Sequence, residues 1–343
     1  MIMNQTTNKS SSQSLPWKRA TLKHQNPVLR KSIWQLTNSL VPYLALWGVM
    51  IWSLDVSYWL TLGLAVVAAG FLARIFMIFH DCAHGSFMKS NSANRLLELA
   101  TGVLTFTPYR QWRHQHALHH ANSGNLDGRG AGAIWTMTVE EYMSASRWKR
   151  MGYRLFRSPL FLFVLLPPYL FLVHNRIPAR SLSKHHRRGV HLTNATILGV
   201  VILMSLTVGI KPYLLIQLPI ITIAGIAGIW LFYVQHQFEG VSWERRQNFD
   251  FASAALRGSS YYQLPRILQW FTANIGFHHI HHLCPAIPNY SLEKCHRENL
   301  MFQQAKPLTL YSSMRSLSLR LWDERRGKLV GFGHIRSIRR GNP

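Results

Sequence analysis

The chain has 343 residues, of which 48% are hydrophobic, and 38 Lys and Arg against 13 Asp and Glu give a formal net charge of +25. The basic residues flank long apolar runs and do not form one soluble patch, which argues against nucleic-acid binding. Three irregularly spaced cysteines exclude a disulfide framework and a CxxC metal site, and they fit a reducing compartment.

The chain begins with a polar, basic segment, residues 1–32, which we predict to be a mobile cytoplasmic tail and not a signal peptide. Four apolar segments follow, each about 20 residues long, as a membrane-spanning helix requires. They are residues 33–54, 58–79, 192–210 and 213–234. Because residues 55–57 and 211–212 are very short links, we predict an all-α polytopic membrane protein whose four spans form two hairpins.

Two shorter apolar runs are harder to place. Residues 96–107 contain Glu98, and residues 159–173 are interrupted by Pro167 and Pro168. We interpret both runs as interfacial or re-entrant, with a compact helical hairpin at the two prolines as the competing interpretation. If either run crossed the membrane alone, the termini and the cap could not all lie on one side of the membrane, as the four-span topology requires.

The distribution of Lys and Arg orients the spans. The two hairpin tips contain one basic residue, Lys211, whereas the N-terminal tail, the middle section and the C-terminal section are strongly basic. Cytoplasmic loops carry the excess of Lys and Arg. We therefore predict that both termini, the last of them a basic tail over residues 325–343, and a cap formed by residues 80–191 and 235–324 lie on the cytoplasmic side of the plasma membrane.

Nine of the 18 histidines fall in four places beside the predicted spans. The sequences are HDCAH, HQHALHH, the single histidine of YVQHQFE, and HHIHH. The nine residues are His80, His84, His116, His119, His120, His236, His278, His281 and His282. Spacings of three and four place side chains on one face of a helix, and the predicted topology brings all four places to one membrane face. This pattern predicts a metal site, because so many buried imidazoles without a metal would be costly.

The number of histidines indicates the kind of metal. One zinc takes three or four protein ligands, so nine are too many for it. The sequence has no cysteine cluster for iron–sulfur. Nine nitrogen ligands suffice for two metal ions with open positions, and two irons that bind dioxygen are the natural interpretation, since zinc is not a redox metal.

The histidine clusters resemble those of a known family. The three clusters HDCAH, HxxHH and HxxHH resemble the histidine boxes of the membrane fatty acid desaturases and related hydroxylases. Stretches such as RIFMIFHDCAHGSF, GIWLFYVQHQFEG and LPRILQWFTANIGFHHIHHLCPAIPNY look like the acyl-lipid branch found in Bacillus, whose members insert a cis double bond at the Δ5 position. The resemblance runs from about residue 38 to residue 324.

The resemblance implies a mushroom shape, with four spans as the stem and a helical cap that holds a di-iron site. It implies the same nine histidines as ligands, two iron ions as cofactor and dioxygen as co-substrate. In some animal relatives an Asn one turn before the fourth-span histidine assists one iron through water. Here that position is Phe232, and Asn274, one turn before His278, is our candidate substitute.

Other residues beside the histidines have weaker claims. Metal-bound imidazoles usually donate their second N–H to a carboxylate or carbonyl, so Asp81 and Asp127 are candidates to orient a ligand, although a helix-capping role is equally compatible. His114 and His279 lie within the boxes but off the ligand spacing, and hydrogen bonding to a ligand and simple packing are equally compatible with each. We interpret His185, His186 and His191 as membrane-surface residues, and Cys82 as a buried, inert thiol.

We therefore predict oxygen-dependent desaturation of phospholipid acyl chains. The electron donor must be a separate protein, because the sequence has no HPGG, flavin, nicotinamide or iron–sulfur motif; an acidic ferredoxin or flavodoxin would suit the positive face. A di-iron hydroxylase or acetylenase is the nearest alternative. A membrane metal transporter is a remote one, because the four spans offer little beyond Arg74 as an ionisable residue.

Overall fold

The computed structural model describes residues 16–130 and 132–339, most of them helical. The helices of the first two thirds are α1 (Pro16–Leu22), α2 (Leu29–Ser53), α3 (Tyr58–His84), α4 (Asn91–Leu104), α5 (Tyr109–Asn122), α6 (Val139–Ser144), α7 (Arg147–Phe156), α8 (Phe161–Arg176), α9 (Lys184–Thr207) and α10 (Ile210–His236). Those that follow are α11 (Phe251–Gly258), α12 (Arg266–Phe271), α13 (His278–Leu283), α14 (Asn289–Glu298), α15 (Leu300–Gln303), α16 (Leu310–Ser313) and α17 (Phe332–Arg339).

The fold also contains short strands that the all-α prediction lacked. They are β1 (Met137–Thr138), β2 (Tyr261–Tyr262), β3 (Pro307–Leu308), β4 (Leu321–Asp323) and β5 (Lys328–Val330). β1 pairs in parallel with β4, β4 pairs antiparallel with β5, and β2 pairs in parallel with β3. Segments of two or three residues are too short to leave an alternating pattern in the sequence.

Three of the described helices are long and apolar enough to cross a membrane, namely α3, α9 and α10. A fourth candidate is the pair α7 and α8, which is bent by 56°. The predicted first span, residues 33–54, is helical within α2 but is not among these candidates, because polar residues such as Gln35, Asn38 and Ser39 dilute its apolar content. The structure thus supports a helical membrane protein with three or four candidate spans.

The helical hairpin considered at Pro167 and Pro168 does not form, because α8 continues through both prolines. The backbone at Leu166, Pro168 and Tyr169 is right-handed α-helical, with π-helical turns on either side. Longer π-type hydrogen bonds can bypass residues that lack an N–H. α8 packs on α10 at Gly225, where a Cβ atom would lie 3.0 Å from Pro167 Cβ.

The helices α2, α3 and α10 form one apolar core. Small side chains on α3, including Ala65, Ala68 and Ala69, are fully buried and allow α2 and α10 to approach closely. The link between α2 and α3 falls at the predicted place. The link between α9 and α10 lies at Val208 and Gly209, not at the predicted residues 211–212, because a proline is tolerated in the first turn of a helix.

Both predicted tails are shorter than expected. Residues 16–32 are part of the fold, since Trp17 and Ala20 of α1 pack against the core around α13 and α14 and Lys23 forms an ion pair with Glu298. At the other end, β5 and α17 continue beyond residue 324, and Ile335 is buried. Residues 1–15 and 340–343 of the predicted tails lie outside the described residues.

Candidate metal centre

The nine predicted histidines lie on four helices that bring them to one region of the fold. α3 and α10 are long apolar helices, and they present His80, His84 and His236 in their last turns. The other six histidines lie on α5 and α13. α3 ends at Gly85, whose φ of 71° is left-handed and whose N–H caps the helix on Cys82 O. The sequence thus stops the helix one residue after His84.

The structure gathers the nine side chains into two groups. Within each group, one ring nitrogen from every histidine lies within 4.8 Å of the others. The five-histidine group consists of His80, His84, His116, His120 and His281. The four-histidine group consists of His119, His236, His278 and His282. Two groups of this size are able to hold two metal ions.

Each HxxHH box contributes to both groups. On α5, His116 and His120 belong to the five-histidine group, whereas His119 belongs to the other. On α13, His281 belongs to the five-histidine group, while His278 and His282, spaced by four, belong to the other. Adjacent helical residues point about 100° apart, so a doubled histidine can reach two sites. The simpler idea that each cluster points in one direction is therefore wrong for these two boxes.

The nitrogen distances fit a metal ion at the centre of each group. The Nε2 atoms of His80 and His116 lie 3.0 Å apart, as do those of His236 and His278. Two nitrogens that bind one ion at right angles, each at about 2.1 Å, lie about 3.0 Å apart. Hydrogen bonds between rings do not satisfy the groups, because the buried Nε2 atoms of His84 and His282 have no partner among the described residues. The donor set fits a transition metal that prefers imidazole.

Burial also keeps the imidazole rings in the neutral form that can bind a metal. Removal from water lowers the pKa of His116, His119 and His120 on α5 well below the ordinary value, and neighbouring imidazoles lower it further. The same two causes act on the pKa of His278, His281 and His282. These rings are therefore neutral at physiological pH, which is the form that binds a metal.

Two of the metal-candidate rings have identifiable partners at their other nitrogen. Asp81 Oδ1 lies 3.2 Å from His80 Nδ1, and Asp81 Oδ2 accepts hydrogen bonds of 2.7 Å from the backbone N–H and the side-chain amide of Asn289. His236 Nδ1 lies 3.3 Å from both Ser123 Oγ and the carbonyl oxygen of Gly258. Such contacts orient a ligand ring and select its tautomer.

Aromatic rings border both groups. Trp112 stacks on His116 with ring centroids 4.3 Å apart, and its position one turn earlier on α5 was a signal that could have identified it. The ring of Phe232 lies 5.1 Å from that of His119, so the position one turn before His236 is apolar. Asn289 and Ser123 had no such signal, because their partners are distant in the sequence.

The remaining candidates lie away from the nine rings. His114 is exposed and its ring contacts His186, and the Asp127 carboxylate binds the side chain of Arg245 and the backbone N–H of Arg246. His279 is buried, but its Nε2 lies 3.3 Å from the carbonyl oxygen of Phe302. In the described structure, these three residues do not contact a histidine of either group through a hydrogen bond, an ion pair or a ring contact.

Asn274 supports the turn that leads into α13. Its φ is 60° and that of Ala273 is 46°, a left-handed conformation that is costly for residues other than glycine. The Asn274 side chain accepts a hydrogen bond from Gln269 and donates one to Asn289 O. Two residues later, a Cβ on Gly276 would lie 2.3 Å from Tyr262 O. The turn is thus built tightly just before His278.

Comparisons with known proteins agree with this geometry. Residues 57–313 match the family model for fatty acid desaturases. The chain is 47% identical over 312 residues to a fatty acid desaturase of Bacillus subtilis, which covers 91% of this chain and 89% of the relative. It is 27% identical to an endoplasmic-reticulum omega-3 fatty acid desaturase of Vigna radiata, over 80% of this chain and 71% of the relative.

A third relative comes from Synechocystis. It is described as an sn-1 acyl-lipid omega-3 desaturase (ferredoxin) and is 27% identical over 64% of this chain and 62% of the relative. Relatives named as desaturases occur in bacteria and plants, and the matched segment contains every histidine of the two groups. The chain therefore belongs to the fatty acid desaturase family and is an oxidoreductase.

Proposed function

We propose that this desaturase inserts a cis double bond at the Δ5 position of acyl chains in membrane phospholipids. The observation that carries the proposal is the pair of histidine groups, each of which contains a buried Nε2 atom without a hydrogen-bond partner among the described residues. Family membership supports acyl-lipid desaturation. The Δ5 position rests on the likeness of the stretches around the boxes to the Bacillus branch.

The nine histidines would hold two iron ions, five rings on one and four on the other. When bound, the irons would supply the activation of dioxygen that removal of hydrogen from an unactivated methylene requires. The protein's own part is to keep the rings neutral and to fix their directions. Asp81 fixes the direction of the His80 ring, and Ser123 with Gly258 fixes that of the His236 ring. The apolar ring of Phe232 lies beside the four-histidine group, where it would keep water away from an alkyl chain.

For the membrane arrangement we propose four spans, α2, α3, α9 and α10, in two hairpins. Large apolar side chains of α2, such as Trp34, Val41 and Leu44, are exposed, which suits contact with lipid. The histidine groups and a helical cap would then face the cytoplasm at the plasma membrane, as the excess of Lys and Arg indicates. The desaturase domain would comprise residues 33–324. A topology in which the pair α7 and α8 crosses the membrane is the competing arrangement.

Desaturation needs two electrons for each double bond, and we propose that a separate ferredoxin or flavodoxin supplies them. The name of the Synechocystis relative includes ferredoxin. Such donors are acidic, and this chain carries a formal charge of +25.

The experiment that tests this function is expression of the chain in a host without desaturases, followed by fatty acid analysis that locates the double bond. We expect a cis double bond at Δ5, and about two irons per chain in the purified protein. His119→Ala should abolish the product, while His114→Ala, an exposed histidine of the same helix, should leave it intact. Hydroxylated products would support a hydroxylase and triple bonds an acetylenase. Saturated chains together with metal uptake into cells would support a transporter.

A further inference from the structure

A large cavity lies on the α2, α12 and α14 side of α3. Its volume is about 1010 Å³, close to the upper limit for ligand pockets, and it is open to the outside. Residues that line it include Gln35 on α2, Arg74 on α3, Trp270 on α12, and Asn289 and Tyr290 on α14. The two histidine groups do not line this cavity, so it requires its own explanation.

Arg74 is an unpaired cation in a helix that is apolar enough to span a membrane. Its side chain is only 7% exposed. It donates a hydrogen bond to Trp270 O, and its guanidinium lies 4.0 Å from the centre of the Trp270 ring. No carboxylate of the described residues forms an ion pair with it, and its Nε has no partner there. Burial of an unpaired charge in such a position costs free energy, so an ionisable residue within a span usually marks a functional site.

Arg157 shows what a buried arginine with a purely structural role looks like in this fold. Its side chain is also fully buried and has no carboxylate partner in the described structure. However, its two terminal nitrogens donate to five oxygens of the protein at 2.9–3.2 Å. The Nε atoms of both arginines lack a partner among the described residues, but Arg74 has only one acceptor there and lines a cavity. The difference indicates that the missing acceptors of Arg74 belong to a ligand.

Gln35 is a second polar group without a partner in the same cavity. Its side chain is 3% exposed, and neither its amide nitrogen nor its amide oxygen has a hydrogen-bond partner among the described residues. A buried amide without hydrogen-bond partners destabilises the fold. Because Gln35 and Arg74 both line the cavity, the ligand should combine an anion with a neutral hydrogen-bonding group such as an ester.

The rim of the cavity favours an anion at a membrane surface. Its charged lining comprises Lys31, Arg74, Arg266 and Arg297 against one carboxylate, Glu293. On the neighbouring helix α12, Ile267 is 70% exposed and Leu268 is 41% exposed, so apolar side chains lie beside exposed basic ones. Helices of this kind sit at the boundary between headgroups and acyl chains.

One lining residue of the cavity is connected to the five-histidine group through hydrogen bonds. Asn289 lines the cavity and donates two hydrogen bonds to Asp81, which in turn contacts His80. A polar group bound in the cavity would therefore lie close to the five-histidine group. A double bond near the ester end of an acyl chain requires this closeness, because few carbons separate the ester from the reacting position.

We propose that this cavity binds the polar end of the substrate glycerophospholipid, with Arg74 on the phosphodiester and Gln35 on an ester group. The proposal rests on the proposed function, because it takes the substrate to be a phospholipid. It assigns Arg74 and Gln35 as residues that determine the lipid class and leaves the metal ligands as they are.

The test measures binding of phosphatidylglycerol with one fluorescent acyl chain to the purified full-length protein in detergent. Arg74→Gln should weaken binding at least about tenfold, because a charge-assisted hydrogen bond is lost. Arg74→Lys should recover part of the loss. Lys149→Gln on α7, outside the cavity, should bind as the parent does. An unchanged affinity in a folded Arg74→Gln protein would overturn the proposal.

Gln35→Met separates ligand binding from fold stability. If Gln35 were merely structural, the apolar replacement of an unpartnered amide would raise or maintain the unfolding temperature and leave lipid binding unchanged. We expect the same or a higher unfolding temperature together with a lipid affinity reduced about threefold or more. Unchanged lipid affinity would overturn the role of Gln35.

Competitors identify the ligand chemistry. Unlabelled phosphatidylglycerol should displace the probe, while diacylglycerol with the same acyl chains should displace it weakly and equally well from the parent and Arg74→Gln. Displacement by inorganic phosphate alone would indicate a site for a free anion, and displacement by a free fatty acid that depends on Arg74 would indicate a carboxylate site. Either result would overturn the proposal. This assay needs neither iron nor electron donor, so its failure is distinct from failure of desaturation.

Discussion

The five-histidine and four-histidine groups lie side by side and share two helices, yet they are built differently. The first receives two rings from the last turn of α3 and one of them, His80, contacts a carboxylate. The second receives one ring from α10, His236, whose second nitrogen lies near a hydroxyl and a carbonyl. It also has one ligand fewer, with Phe232 beside it. The four-histidine group has fewer ligands, and the groups beside His236 are neutral, whereas His80 contacts a carboxylate. We therefore expect the four-histidine group to bind its metal more weakly.

This asymmetry has a chemical use under the proposed function. A site with fewer protein ligands leaves more positions for oxygen or water. The Phe232 ring contacts His119 and His236, both in the four-histidine group, and it offers no hydrogen bond to a bound water. We therefore expect the four-histidine group to be the labile, more open half of the centre.

The largest effects should follow from removal of one ligand in each group. His84→Ala and His282→Ala each remove a ring whose Nε2 has no hydrogen-bond partner in the described part of the chain, so each should reduce activity more than about 100-fold. Iron analysis should show about one iron per chain for each variant. His185→Ala, an exposed histidine on α9, is the control. Two retained irons in either variant would remove that residue from the ligand set.

Stepwise removal of iron should distinguish the groups directly. With a chelator at increasing concentration, the four-histidine group should lose its metal first because it has one ligand fewer. In His282→Ala, which disables that group, the remaining iron should leave in a single phase at the higher chelator concentration. Simultaneous loss of both irons from the parent protein would contradict the difference between the groups.

Asp81→Asn tests the charged support of the five-histidine group. Loss of the carboxylate beside His80 should weaken iron binding about 10–100-fold in that group and leave the other unchanged. The replacement keeps the size of the side chain and its ability to contact Asn289. A uniform loss of both irons, or a lowered unfolding temperature with normal iron affinity, would assign Asp81 to the fold alone.

Ser123→Ala tests the neutral support of the four-histidine group. The effect on iron affinity should be smaller than for Asp81, less than about tenfold, because Gly258 O remains 3.3 Å from His236 Nδ1. The measurement is the same chelator titration. An effect as large as that of Asp81→Asn would show that the two supports are equivalent.

Phe232→Asn should have the smallest effect and the opposite sign. An amide beside His119 and His236 could hold a water molecule at the four-histidine group, and one hydrogen bond is worth about a fivefold gain in metal affinity. The matched control is Phe232→Leu, which should leave the affinity unchanged. Weaker iron binding in Phe232→Asn than in Phe232→Leu would show that the apolar ring stabilises the group.

Much of the candidate site could be predicted because its residues repeat at helical spacing. The boxes identified eight of the nine histidines that the structure gathers, and Asp81 lies beside a box residue. His236 lies in no box and was identified by its place at the end of the fourth predicted span. Trp112 stacks on His116, lies one turn earlier on the same helix, and was also predictable from that spacing. Asn289, Ser123 and the cavity around Arg74 were not, since each depends on contacts between segments that are far apart in the chain.

The helices could be predicted in the same way where apolar runs are long. α3, α9 and α10 appear near their predicted positions, but the bounds shifted where polar turns extend a helix beyond its apolar part, as in α9, which begins at Lys184. The short strands escaped prediction, because two or three residues carry no periodicity. α17 escaped it because its basic sequence was interpreted as part of a tail. α8 continues through Pro167 and Pro168 with π-helical turns on either side, and it packs on α10 at Gly225, which no local pattern predicted.

By itself, the sequence determined which nine histidines can meet and that long apolar helices carry some of them. Those features are local, since they depend on helical spacing and on runs of apolar residues. Only the tertiary structure decided that His119 and His120 belong to different groups and that Asn289 holds Asp81. It also left Arg74 without an ion-pair partner in the described chain, facing a cavity. Such features depend on which helices pack together, and side-chain spacing along one helix cannot specify that.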